Sequence, residues 1–272
     1  MADLFALKGK TAVVTGAASG IGRAVAVSLA RRGCDLALAD VNEVGLKEIQ
    51  AELTGLVQVS RYRLDVGDPE AVAAFPAAVL ARHPGVDVLV NNAGVALGGQ
   101  FDQVAAADFA WLFGINFWGV VNMTRAFLPL LKASPEARLV NVSSVFGLIA
   151  PPGQTAYCAS KFAVRGFSES LRHELKPTRV GVTVVHPGGV ATSIARSARM
   201  PAGASNAEVE QAHRTADAML KLPPAVAGEI IVKGIERRRP RVLVGGDAKF
   251  LATLERLAPV SYWKWLGPRL RR

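Results

Sequence analysis

The stretch Thr15-Gly16-Ala17-Ala18-Ser19-Gly20-Ile21-Gly22 begins where the apolar run Thr11–Thr15 ends, and it opens an amphipathic segment, Ile21–Arg32. The run reads as a β-strand and the segment as a helix, because its apolar residues return at helical spacing. Gly16 permits a tight turn, Gly20 lets backbone approach a bound group closely, and Gly22 allows helix to pack on strand. The helix N-terminus then presents the amides from Ser19 to Gly22 to an anion, most naturally a pyrophosphate. Glycines alone are weak evidence, since many strand-to-helix turns contain them. Their placement between a strand and a helix strengthens the reading.

Outward from this turn the alternation continues. Asp35–Ala39, Val57–Leu64, Val86–Val90, Leu139–Val142 and Gly181–Val185 read as strands. Glu43–Leu53, Pro69–Arg82 and Ala156–Leu175 read as helices, with helical stretches around Phe109–Phe113 and Asn116–Lys132. Asp68 is the expected cap of the helix that starts at Pro69. Strands alternating with helices imply parallel pairing through right-handed crossovers, hence a single α/β domain of Rossmann type: a doubly wound sheet with helices on both faces. The expected division is a catalytic domain over 1–245 and a basic, aromatic extension over 246–272. An irregular excursion over about 190–222 suits a binding loop.

Composition narrows the class. Half of the 272 residues are hydrophobic and 20% are charged, which excludes a disordered chain. No apolar run approaches the roughly 18–20 residues that span a bilayer. The first residues lack the basic-then-apolar pattern of a signal peptide, so a cytoplasmic protein is expected. Residues 233–272 hold eleven Lys/Arg and three Asp/Glu, so they carry +8 of the net +10. The charge belongs to a tail, and nucleic-acid binding is not expected. Arg237-Arg238-Arg239 reads instead as a helix end, where cations suit the dipole. Two cysteines, Cys34 and Cys158, and four scattered histidines offer no disulfide framework and no metal spacing.

Asp40 ends the strand after the glycine turn, 18 residues beyond Gly22. An acid there accepts hydrogen bonds from ribose hydroxyls and repels a 2′-phosphate, so NAD is expected ahead of NADP. The plainer alternative makes Asp40 a cap for the helix near Glu43. Tyr157 is followed four positions later by Lys161, on the same helical face. A cation beside the phenol, together with a positive nicotinamide, would lower its pKa from about 10. Alone, such a pair is usually a surface contact.

In order along the chain stand Thr15-Gly16-xxx-Gly20-Ile21-Gly22, Asp65-Val66, Asn91-Asn92-Ala93-Gly94, Asn116, Ser143-Ser144, Tyr157-xxx-Lys161 and Pro187-Gly188-xxx-Thr192. With these the sequence resembles the short-chain dehydrogenase/reductase family over roughly residues 8–245. The resemblance implies a seven-stranded sheet and a homodimer or homotetramer assembled through the long helices. It implies an oxidoreductase in which Tyr157 is the general acid/base, Lys161 lowers its pKa and holds the nicotinamide ribose, and Ser144 polarises the substrate. Asn116 would hold a water that links Lys161 to solvent. Asp65 and Val66 would flank the adenine, Asn92, Ala93 and Gly94 would line the cofactor, and Pro187, Gly188, Val190 and Thr192 would meet its nicotinamide end.

The segments expected around the substrate, 95–97, 145–151 and 190–200, are largely apolar. A lipophilic secondary alcohol or ketone is therefore favoured over a charged metabolite, with Arg196 and Arg199 as the reservation. A 3-ketoacyl-thioester reductase using NADPH is the alternative within the family, and a non-catalytic binding protein the alternative outside it. In the tail, Phe250, Leu251, Leu254 and Leu257 form one helical stripe ended by Pro259. Tyr262, Trp263 and Trp265 follow among Lys264, Arg269, Arg271 and Arg272. The stripe is expected to dock on the body or another subunit, with peripheral contact to an anionic membrane as the alternative.

Overall fold

The computed structural model describes residues 4–270, with side chains described as far as Gly267. The expectations resting on Met1–Asp3, Arg271, Arg272 and the Arg269 side chain lie outside the described residues. Seven strands are present: β1 (Thr11–Thr15), β2 (Asp35–Asp40), β3 (Val59–Arg63), β4 (Val88–Asn91), β5 (Ala137–Val142), β6 (Val180–Pro187) and β7 (Arg241–Val244). They form one sheet in the order β3-β2-β1-β4-β5-β6-β7, and every pairing is parallel. The expected doubly wound Rossmann sheet is the observed one. The order reverses between β1 and β4, and ligand crevices in such sheets open there, at the strands' carboxyl ends.

Strand residues alternate between two cores. On one face Ala12 and Val14 pack with α1 (Gly20–Ala30), α2 (Glu43–Leu53) and α8 (Pro224–Glu236). On the other, Val13 and Leu89 pack with α3 (Pro69–Leu80), α5 (Gly119–Ala133) and α6 (Thr155–Glu174). Asp68 caps α3 as expected, accepting from the amides of Glu70 and Ala71.

Three features depart from the sequence expectation. The stretches around 109–113 and 116–132 are one rod: α4 (Ala106–Phe113) continues into α5 through a π turn, Gly114–Trp118. The excursion contains a helix, α7 (Asn206–Met219), started by a capping box between Ser205 and Glu208. That Ser-x-x-Glu signal was present in the sequence but was passed over among polar residues. The tail folds into α9 (Gly246–Leu257) and α10 (Tyr262–Leu270). Leu251, Leu254, Tyr262 and Trp263 pack against Val145, Ile149, Ala248 and Leu266, so the tail docks on the body. The expected stripe is only half used, since Phe250 and Leu257 stay exposed. The arginine run does end a helix, with Arg237 as the C-cap of α8. Among the described residues no helix is long and apolar enough to cross a membrane.

Candidate active site

The glycine turn is built from the backbone outward. Gly16 and Gly20 both have positive φ, +65° and +54°. A Cβ at Gly16 would crowd the Asn92 amide at 2.7 Å. That amide, on the loop after β4, donates to the carbonyls of Thr15 (3.0 Å) and Gly16 (3.2 Å). The Thr15 hydroxyl accepts the amides of Asn92 (3.0 Å) and Ala93 (3.1 Å). Asn92 is thus a brace for the turn, and Thr15 is a structural partner that the motif reading left without a role.

The N-terminus of α1 has no side-chain cap from Ser19 and no acid in its first turn. Its orphan amides remain for an anion, so these residues fit a pyrophosphate. Asp40 accepts the Ala18 amide at 3.0 Å and the Asn42 amide at 2.9 Å. It does not cap α2, because Asn42 fills that role with a bond from the Gly45 amide. Strand register sets Arg63 beside Asp40, a cation that linear reading missed. Asp65 is exposed and accepts the Gly67 amide, whereas Val66 is buried.

Beside the carboxyl end of β5, Ser144, Tyr157 and Lys161 come together. Ser144 ends the β5 loop and accepts the Phe146 amide at 3.1 Å. Tyr157, half-buried in the first turn of α6, packs edge-on to Phe146 with ring centroids 6.2 Å apart. One turn later, buried Lys161 donates to the Val142 carbonyl at 3.2 Å and lies 5.6 Å from the Tyr157 ring centroid. Gly94 leaves room here, since a Cβ on it would stand 3.3 Å from the Lys161 amine and 3.1 Å from Asn116 Oδ1.

The protein alone does not lower the tyrosine. Burial pushes Tyr157 up to about 12, with the Ser144 hydroxyl opposing it, and burial lowers Lys161 to about 8. The phenol is therefore held protonated, and a lowering requires added positive charge beside it.

Asn116 lies in the π turn, fully buried. Its side chain accepts the Val95 amide (2.8 Å) and donates to the Val95 carbonyl (3.0 Å) and Ser160 Oγ (3.2 Å). Both ends of the carboxamide hold the loop after Gly94, and the Nδ2 end also ties it to Ser160 of α6. Cys158 is buried, and burial pushes its thiol up to about 12, so it is no nucleophile beside Tyr157.

His186 was set aside in the sequence as one of four scattered histidines. It is fully buried, and its Nδ1 lies 2.9 Å from the Ser144 carbonyl, behind the serine loop. Burial lowers it to about 4, so the ring is neutral and Nδ1–H donates. A polar residue in the apolar run just before Pro187 was the available signal.

Pro187 ends β6, Val190 is buried, and the Thr192 methyl comes close to Gly20. The excursion thereby reaches the glycine turn. Arg199 stacks on Trp111, 3.5 Å from the ring centroid, and bonds Asp108 at 2.9 Å. Arg196 pairs with Asp217 at 2.6 Å. Both arginines that weighed against an apolar pocket are engaged elsewhere. Tyr262 of α10 accepts the Ala150 amide at 2.9 Å and so buttresses the loop after Ser144.

Residues 10–202 match the short chain dehydrogenase family model. The chain is a short-chain dehydrogenase/reductase. This short-chain dehydrogenase/reductase is 45% identical over 259 residues to SadH of Mycobacterium tuberculosis, designated an oxidoreductase, covering 94% of this chain and 93% of that one. A family member from Burkholderia phymatum, solved in complex with NAD, superposes with a TM-score of 0.87 at 33% identity. That match covers 94% of this chain and 95% of the other. An alcohol dehydrogenase from Thermococcus sibiricus, complexed with 5-hydroxy-NADP, gives 0.68 at 30% identity, covering 86% and 95%.

Proposed function

We propose that this oxidoreductase interconverts a lipophilic secondary alcohol and its ketone with NAD. The observation that carries the reading is the convergence of Ser144, Tyr157 and Lys161 beside an uncapped helix N-terminus, within apolar walls. When bound, the nicotinamide accepts or supplies the hydride. Tyr157 takes the hydroxyl proton in oxidation and returns it in reduction. Ser144 orients the oxygen on which charge develops, and the Lys161 amine, facing the cofactor side at Gly94, would favour the phenolate together with the positive charge of the oxidised nicotinamide. Asn116 and the Val95 loop keep that amine in register, the positional condition for a proton relay outward. Asp65, Val66, Asn92, Ala93, Gly94, Pro187, Gly188, Val190 and Thr192 border the cofactor in this reading.

Asp40 supports NAD, since a carboxylate there repels a 2′-phosphate. Arg63 supports the second reading, an NADPH-linked ketoreductase. A panel of hydrophobic secondary alcohols, including cyclic ones and sterols, assayed with NAD and NADP in parallel, separates them. Faster turnover with NADP rejects the Asp40 argument, and cofactor binding without turnover favours the non-catalytic alternative. The exposed Trp118 and Phe162 support a homodimer or homotetramer. Exposed Leu257, Val260 and Trp265 beside Arg256 and Lys264 support peripheral contact with anionic lipid. Absence from the lipid fraction in low-salt liposome flotation rejects that contact.

A further inference from the structure

Gly189 is the joint at which the excursion both leaves and rejoins the body. Its carbonyl accepts the amides of Lys221 and Leu222, each at 2.9 Å, and the Ala191 amide donates to the Leu222 carbonyl at 2.9 Å. Its own amide donates to Asp247 Oδ2 at 2.6 Å. Asp247 lies in the first turn of α9, within the tail, where no motif drew attention to it. Its carboxylate is seated among glycines: a Cβ on Gly188 or on Gly245 would strike it. Gly188 in turn donates to the Val244 carbonyl, so β7 and the start of α9 bracket the joint.

Besides the joint, the excursion is held by a short backbone bridge, in which the Arg199 amide donates to the Ala96 carbonyl at 3.1 Å and the Gly98 amide donates to the Arg199 carbonyl at 3.0 Å. None of the residues of α7 is buried, and the Arg196–Asp217 and Arg199–Asp108 pairs lie at the surface. Exposed pairs contribute little, because solvent screens them and two long side chains must be ordered to form them. Asp247 is itself exposed, but its carboxylate lies packed against Gly188 and Gly245 and accepts a charge-assisted bond, which is stronger than a neutral one. The two ends of the excursion, residues 189–191 and 221–222, are therefore held at the joint, while the Arg199 bridge fixes its middle.

We propose that Asp247 is a positioning residue, whose carboxylate pins the Gly189 joint and sets how the 190–222 excursion lies over the substrate pocket. Its effect on substrate rests on the alcohol-dehydrogenase reading, whereas its effect on the excursion does not. Asp247→Ala removes the acceptor, and Asp247→Asn keeps a side-chain oxygen for the Gly189 amide.

The test is amide hydrogen exchange on the purified full chain, comparing segment 189–222 with segment 11–40. Asp247→Ala is expected to speed exchange in 189–222 by about tenfold and leave 11–40 unchanged, with Asp247→Asn close to wild type. In steady state on a secondary alcohol, Asp247→Ala is expected to raise KM about three- to tenfold with a smaller change in kcat, again rescued by Asn. Unchanged exchange in 189–222 overturns the proposal. So does uniform acceleration over the whole chain, which marks a general loss of stability. If no alcohol is turned over by the wild type, the exchange result still decides the role of Asp247.

Discussion

The glycine turn at residues 15–22 and the excursion at 190–222 touch where Thr192 meets Gly20, yet they are held by different means. Around the turn, Thr15, Asn92 and Asp40 bond backbone amides and carbonyls at part-buried positions. The excursion relies on one joint, a short backbone bridge at Arg199 and surface ion pairs. Short polar side chains tied to main chain have little freedom to lose, so the turn is set before any ligand arrives. A segment with few buried contacts opens locally at low free energy, which suits the side where substrates of different shape enter.

The sharpest way to break this contrast is at the proton-handling pair, which both regions border. Tyr157→Phe and Lys161→Ala are each expected to lower kcat by at least about 10²-fold, with an unchanged thermal midpoint. Full turnover by either purified variant overturns the mechanism.

Acid probes the rigid side next. The unfolded chain protonates His186 at the ordinary imidazole value of 6.5, whereas burial holds the folded one down to about 4. The stability this residue contributes is present above pH 6.5 and is lost as pH falls from there through about 4. The loss is on the order of 3 kcal/mol, and His186→Asn, which retains a donor near the Nδ1 position, is expected to flatten it. Denaturant melts between pH 4 and 7 measure both.

Asn92→Ala leaves the Thr15 and Gly16 carbonyls without their donor. It is expected to weaken NAD binding by about tenfold, within the 1–3 kcal/mol that follows loss of a buried partner. Arg199→Ala acts on the loosely held side. It is expected to raise substrate KM only about two- to fivefold, and raised salt should erase the difference, as for exposed ionic and cation–π contacts. If Arg199→Ala proved the more damaging of these two, the contrast between the regions would be reversed.

What the sequence disclosed follows the same division. Six of the seven strands and the layering of helices on both faces were legible because strand alternation and glycine spacing are local signals, whereas β7, a four-residue strand following an arginine run, was implied only by the family resemblance. The helix α7 was missed although its capping box is local, since its exposed polar residues carry no apolar period strong enough to mark it. Arg63, His186 and Asp247 were illegible for another reason. Each acts on a residue far away in sequence, Asp40, Ser144 or Gly189, and only strand register or the docked tail brings the two together. The burial that pushes Tyr157 up to about 12 was not legible either, since spacing reveals a neighbouring lysine but not how much of the phenol is covered.

The bond from Tyr262 to Ala150 also has a meaning in time. Synthesis runs from the N-terminus at about 5–20 residues per second, so the glycine turn precedes Tyr262 by roughly 10–50 s. Late in that interval, once Thr192 has been made, the nascent chain holds every residue proposed to border the dinucleotide but lacks the helices that buttress the loop after Ser144. The substrate wall is the last part of the site to be finished, and a ribosome stalled before α9 would display the apolar loop at Val145–Ile149 without its cover.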